Sequence, residues 1–436
     1  MMKTKEIFFI GLTLFSMFFG AGNLIFPPFL GMEAGTSFVP AMLGFIVTGV
    51  GLPFLVLAAV LLVKGGAQEL AGRVHPLFGT IFIAIIYLSI GPFLAIPRNA
   101  NVAFEMSVKP FTGTSSTVTL FIFTLVFFSL VYAVSLNPSK MVNYMGRFIT
   151  PTLLVAIGVL CVVALSHLDG ALSAPTEKYE TGAFFKGFIE GYATMDALAA
   201  LAFGIVILSA IHSQGVTEKR AVMKYTLASG LVAGAALAFV YVAIGFTGAK
   251  MGSEGSFENG TAILADTASM FLGSSGTVLL GIIFTLACFT TCVGLTTACG
   301  HYFEQLSPKL TYKFIVTAVT LVSLLVANMG LNQIISVSVP FLVTAYPLTI
   351  VLVVLSFMTK KRKVYAGAML LTGLVALCDG LKAFGVSLSG LQPVFDALPF
   401  SSLGLSWVVP AVCGACMGLI WDQTKPTHTP PVSKAA

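Results

Sequence analysis

Phe15-Ser16-Met17-Phe18-Phe19-Gly20-Ala21-Gly22-Asn23-Leu24-Ile25-Phe26-Pro27-Pro28 lies within an apolar run covering residues 7–31. Two glycines one residue apart, an asparagine and a proline pair weaken a helix near its middle, since glycine costs it about 1 kcal/mol and proline removes a donor. A second half-helix restarting there exposes backbone amides, and the positive end of its dipole favours a carboxylate. The structural alternative is close packing through the glycines with a simple proline kink.

The surrounding run is long enough to cross a bilayer, which takes about 20 predominantly apolar residues for a hydrocarbon core of about 30 Å. Further candidates fall at 38–63, 77–104, 117–136, 143–166, 185–211, 221–247, 275–300, 312–328, 331–357, 364–382 and 403–421. Composition agrees: of 436 residues, 57% are hydrophobic and 9% charged, against about a quarter charged in a soluble domain. A soluble or disordered chain, a secreted disulfide scaffold and a typical nucleic-acid binder are excluded. Transmembrane β-strands alternate in polarity, whereas the run 46–63 is continuous. The expectation is an all-α polytopic membrane protein with about 12 transmembrane helices, residues 383–400 forming a re-entrant or surface helix.

Charge sets the orientation. With the N-terminus inside, 17 of the 23 Lys and Arg residues fall in cytoplasmic segments and 5 outside, which predicts cytoplasmic N- and C-termini. The net charge of +6 then reflects insertion and not a nucleic-acid surface. Lys3 and Lys5 precede an apolar run too long for a signal-peptide core. All seven cysteines fall in predicted spans, so no disulfide framework is expected, and Cys288 and Cys292 serve as packing residues. Only Arg98 and Asp196 are counted as charges inside spans.

The chain divides into a five-span unit (1–166), an outside connection (167–184), a second five-span unit (185–358), two additional helices (359–422) and a cytoplasmic tail (423–436). Five is odd, so a repeated second half enters from the opposite face, the inverted-repeat design of many secondary transporters. Span six pairs with span one, and its stretch from Met195 to Gly204, with a mid-span acid and small residues, marks the second interruption.

The run from Phe18 to Pro28, with Ala95-Ile96-Pro97-Arg98 in span three and Met195 to Gly204 in span six, closely resembles the bacterial branched-chain amino acid carrier family over nearly the whole chain. That family belongs to the amino acid, polyamine and organocation superfamily. The resemblance implies a LeuT-type 5+5 inverted repeat with broken helices 1 and 6, plus two extra C-terminal helices. It also implies symport of leucine, isoleucine and valine with a cation, Na+ or alternatively H+, across a bacterial inner membrane, with no cofactor. An exporter of the same amino acids is a further alternative.

Residue by residue, the resemblance implies that amides of Gly20, Ala21, Gly22 and Asn23 hold the substrate carboxylate. A sodium site is implied from the carbonyls of Ser16, Phe19 and Ala287 and the hydroxyls of Thr290 and Thr291. Five oxygens suit a hard cation, although a threonine in a membrane helix also commonly bonds its own i−4 carbonyl. Leu198 stands where sodium-coupled relatives place a hydroxyl, so one cation per substrate is expected. Carbonyls of Ala197, Leu198 and Ala200 are implied for the ammonium group, with Phe203 and Leu295 as walls of the aliphatic pocket.

Asp196 lies beside those carbonyls. A carboxylate at mid-membrane costs roughly 2.5 to 3.5 kcal/mol, which argues that it attracts the ammonium, coordinates the cation or carries a proton; capping a half-helix is the structural alternative. Arg98 is either a gate or a tie to loop carbonyls. A membrane-embedded enzyme would need a His-Glu-x-x-His, paired-aspartate or Ser/Lys set at one depth, and the sequence has none. A channel would favour repeated filter loops over two different broken helices.

Overall fold

The computed structural model describes residues 3–63, 65–112, 116–138, 144–168, 170–388, 390 and 397–423. The predicted tail lies outside the described residues beyond Gln423, as do Lys64, Lys140, Lys425 and Lys434. The predicted 383–400 helix lies outside them at 389 and 391–396, and its described residues after Ala383 are turn and irregular backbone, not helix.

All regular structure among the described residues is helical. The chain begins with α1 (Thr4–Phe18), α2 (Ala21–Ala34) and α3 (Phe38–Ile46), and a π-helical turn, Val47–Gly51, leads into α4 (Leu52–Leu62) and then α5 (Gly66–Gly72). Helix α6 (Pro76–Leu88) passes through a second π-helical turn into α7 (Ala95–Ser107), followed by α8 (Thr117–Ser135) and α9 (Thr150–His167). Helix α10 (Ala183–Glu190) and a 3-10 turn, Gly191–Thr194, precede α11 (Asp196–Ser213), α12 (Lys219–Met251) and α13 (Gly260–Leu306). The last four are α14 (Tyr312–Ala327), α15 (Leu331–Met358), α16 (Arg362–Ala383) and α17 (Val408–Gln423).

Among the described residues, 9 helical runs are long and apolar enough to cross a membrane, and Tyr312–Ala327 and Val408–Asp422 are apolar but shorter. The 42-residue run Ala21–Leu62 would measure roughly 63 Å as one helix, about twice a hydrocarbon core. Gly35 divides it, with a φ of 48° that no helix interior adopts.

The side chains are arranged inside out relative to a soluble protein. Val162, Leu231, Phe239 and Leu325 are exposed, whereas Ser16, Asn23, Asn99, Asp196 and Thr290 are buried. Helices suit this environment because each satisfies its own backbone bonds where water is absent. The chain is a multi-pass membrane protein.

Helices α1 and α2 both pack on α12, and α7 packs on α13. A Cβ on Gly31 would fall 1.9 Å from the Gly245 carbonyl oxygen and one on Gly248 2.0 Å from that of Pro28, so α2 and α12 meet backbone to backbone.

Three expectations are corrected. The half-helix after the first interruption starts at Ala21, and Pro27 and Pro28 lie inside it; lacking N–H groups, they leave the carbonyls of Asn23 and Leu24 without helical donors. The second interruption lies at residues 191–195, before Asp196, because Asp196 to Ser213 is continuous helix. The alanines there are good helix formers, and the deviation falls on Met195, at φ 68°. Asp379 lies within α16, so charges in the predicted spans are not confined to Arg98 and Asp196.

Candidate functional site

The first interruption comprises Phe19, with ψ 88°, and Gly20, with φ −118° and ψ −158°. In an unbroken helix the amide of Gly20 would bond the carbonyl of Ser16, and that of Ala21 the carbonyl of Met17. Instead Gly20 N donates to Asn23 Oδ1 at 3.0 Å, and Ala21 N donates to Asn99 Oδ1 at 2.8 Å. The carbonyl of Ser16 is thereby released from the ladder.

It is met by α13. Thr290 Oγ1 lies 2.8 Å from the Ser16 carbonyl oxygen and 3.0 Å from that of Ala287, and Thr291 Oγ1 lies 3.4 Å from Ser16 O. Four of the five implied cation ligands therefore converge: two carbonyls and two hydroxyls. Phe19 closes the first half-helix: its N–H still donates to the Phe15 carbonyl at 2.8 Å, its ψ of 88° turns the chain out of the helix after it, and its ring stacks on Phe15 at 5.0 Å. Separations of 2.8 to 3.4 Å approach the edge of an oxygen polyhedron around a hard cation with bonds of about 2.4 Å, roughly 3.4 Å. The donor set, oxygens without thiol or imidazole, fits such an ion.

The second interruption faces the first. Asp196 is buried at the start of α11, and its Oδ2 accepts from Asn23 Nδ2 at 2.6 Å and from Tyr241 Oη of α12 at 3.1 Å. Asn23 Nδ2 also contacts the Tyr241 hydroxyl. Asn23 thus uses its oxygen on the broken backbone of span one and its amide on the carboxylate of span six. Arg98 Nη1 and Nη2 each lie 3.4 Å from the Ala193 carbonyl oxygen, in the 3-10 turn that precedes α11. Its Nε has no partner among the described residues. Glu105 pairs instead with Lys109, at 3.8 Å.

Between the interruptions lies a cavity of about 20 Å³, lined among others by Gly20, Ala21, Gly22, Asn23, Asp196 and Leu295. That volume holds about one water, so an amino acid enters only if the interruptions move apart. Arg98 lines this cavity and also a larger one of about 400 Å³ walled by Ile25, Phe26, Phe29 and Leu342. On the opposite side, Tyr87, His212, His301 and Tyr302 line a cavity of about 390 Å³.

Several implied residues are placed otherwise. Ala197, Leu198 and Ala200 are buried within continuous helix, so their carbonyls belong to its ladder. The nearby carbonyl that lies outside this helical ladder comes earlier, at Ala193, where it accepts from Arg98. Phe203 packs behind Phe18, ring centroids 5.1 Å apart, and Phe18 is the ring in the cavity wall.

Two residues of the network were missed, Asn99 and Tyr241. The polar cluster Arg98-Asn99-Ala100-Asn101 in an apolar span was a usable signal for the first. Tyr241 carried none, since a single tyrosine in a long apolar helix reads as packing.

The chain matches, over residues 3–425, the family described as Branched-chain amino acid transport protein. It is 47% identical over 426 residues to the branched-chain amino acid permease BrnQ of Bacillus subtilis (strain 168), covering 96% of this chain and 97% of the relative. It is 39% identical over 428 residues to the permease BrnQ of Escherichia coli (strain K12), covering 97% of each. Among solved structures it resembles Mhp1, a nucleobase-cation-symport-1 family transporter, in a closed conformation with bromovinylhydantoin bound. The TM-score is 0.61 at 17% identity, over 96% of this chain and 93% of that one, a likeness of fold.

Proposed function

The chain belongs to the branched-chain amino acid transport protein family, and from that premise we propose that it imports leucine, isoleucine and valine by symport with Na+ through alternating access. The family is one of transporters, and the chain is not an enzyme. In this reading the helices form twelve spans, ten of them a 5+5 inverted repeat, with the interrupted spans at its centre and both termini cytoplasmic.

The observation that carries the cation assignment is the convergence of the Ser16 and Ala287 carbonyls with the Thr290 and Thr291 hydroxyls. Sodium there replaces the hydroxyl protons as the partner of the carbonyls, joining α1 to α13. The amides of Gly22 and Asn23, first-turn donors without helical acceptors, receive the substrate carboxylate, and those of Gly20 and Ala21 join them as Asn23 and Asn99 turn away. Asp196 and the unwound carbonyls before it attract the ammonium group. Phe18 and Leu295 face the aliphatic side chain, where one methylene is worth about 1 to 3 kcal/mol, so the three substrates are only shallowly distinguished. Arg98, shared by the central and the 400 Å³ cavities, gates the path between them.

The test is leucine uptake into proteoliposomes under an imposed sodium or pH gradient. Sodium-driven uptake is expected, and uptake that follows the pH gradient alone would refute the coupling. One observation favours that second reading: Asp196 is buried with an amide and a hydroxyl as its partners, a setting in which a carboxyl can carry a proton. Asp196→Asn separates the two, since it abolishes proton-driven uptake altogether but only weakens a sodium-driven cycle.

A further inference from the structure

We propose that the cavity of about 230 Å³ between α10, α15, α16 and residues 401–407 is a second binding site, separate from the central one, for a free aliphatic α-amino acid in its zwitterionic form. The identity of the ligand rests on the transport reading above; the site itself rests on its own residues.

Asp379 supplies the anion. Its Oδ2 accepts from Ser406 Oγ at 2.6 Å, and an ionised carboxylate has further lone pairs for an ammonium group. Two donors complement it: the Tyr192 hydroxyl and the Trp407 indole nitrogen belong to walls of the cavity, and both atoms are buried without a hydrogen-bond partner among the described residues. Each of these residues is 7% exposed, so an unmet donor is costly, and a carboxylate arriving between them satisfies both. Lys382, one helical turn from Asp379 on the same wall, adds positive charge.

The remaining wall is apolar, with Ile189, Val343 and Pro347. An acceptor for an ammonium, buried donors for a carboxylate and an aliphatic wall describe a small zwitterion better than a metal cation, which the ammonium of Lys382 would repel. The volume lies below the about 300 to 1,000 Å³ of drug-sized sites, in keeping with a ligand of this size. Tyr192 stands in the 3-10 turn before α11 and stacks on Tyr346 at 4.4 Å. An occupant touching Tyr192 therefore presses on the interruption of span six, and extracellular substrate would bias the central site through it.

Equilibrium dialysis of labelled leucine against the purified full chain in sodium buffer tests this. Two classes of site are expected. Asp379→Asn and Trp407→Phe should each weaken one class by about tenfold or more and leave the other unchanged, which also reports that the variants fold; Asp196→Asn should affect the other class. A single class in the wild type, or two classes untouched by both variants, overturns the second site. If that single class is lost in Asp196→Asn, the transport reading stands without it, whereas no leucine binding at all removes both. Displacement of the second class by phosphoethanolamine but not by isoleucine identifies a lipid-headgroup site and overturns the amino-acid assignment.

Discussion

The single hydroxyl proton of Thr290 has three carbonyls within reach, those of Ser16, Leu286 and Ala287, whereas an ordinary threonine in a membrane helix has only its own helix to serve. The Ser16 carbonyl is available solely because Gly20 turns its amide to Asn23, so the site depends on the glycine as much as on the hydroxyl. Thr290→Ala should raise the sodium concentration for half-maximal uptake by about tenfold or more, because a ligand to a charged partner contributes about 1.5 to 3 kcal/mol. Thr290→Ser, which keeps the hydroxyl, should restore most of it. If both variants behave alike, the hydroxyl is not a ligand. Gly20→Ala should abolish uptake, since its Cβ would lie 2.7 Å from Asn99 Oδ1 and 2.9 Å from Thr291 Oγ1; normal transport by that variant would show that the break tolerates a side chain. At this scale the sequence was partly legible. Gly20 and Asn23 stand out by type and spacing, Thr290 and Thr291 only through the family resemblance, and Tyr241 not at all, because its role arises only when α12 is packed against both interruptions.

The two interruptions are built differently, and this explains why one was easier to place. In span one, glycine and asparagine carry the local preference for a break, whatever surrounds them. In span six the alanines of α11 favour helix, and the break is imposed one residue earlier on Met195, a non-glycine residue in the left-handed region. Met195 is 3% exposed, so shortening it removes packing in any case. Met195→Ala loses that packing and keeps the strain, whereas Met195→Gly loses both. The glycine variant should be the more stable of the two by about 1 kcal/mol, read from thermal unfolding in detergent. Equal stability, or an advantage for alanine, would mean that the left-handed turn carries no cost there.

For the whole molecule, composition was sufficient to establish the membrane class, but not how the end of α2 is held to the end of α10. Lys178, between α9 and α10, lies 2.9 Å from Glu33 at the end of α2 and 2.6 Å from Glu190 at the end of α10. Sequence alone offers no register for such a tie, since these residues are 145 and 12 positions from Lys178. Burial by itself would lower the Lys178 ammonium, but Glu190 and Glu33 outweigh it and hold its pKa above the ordinary lysine value. A raised cation stabilises fully below the unfolded value of about 10.4 and loses that contribution as pH rises through the higher folded value. Lys178 is 38% exposed, so solvent limits the effect to about 1 kcal/mol. Lys178→Met should therefore lower the unfolding temperature slightly and by the same amount from pH 7 to pH 9, with the difference disappearing only above about pH 10.4. High salt should shrink it, because partly exposed pairs are screened. A gap that closes between pH 7 and 9 would assign the tie to another group. A salt-insensitive gap would trace the loss to the packing of the lysine stem over Tyr179, whose ring centroid lies 5.2 Å from the ammonium.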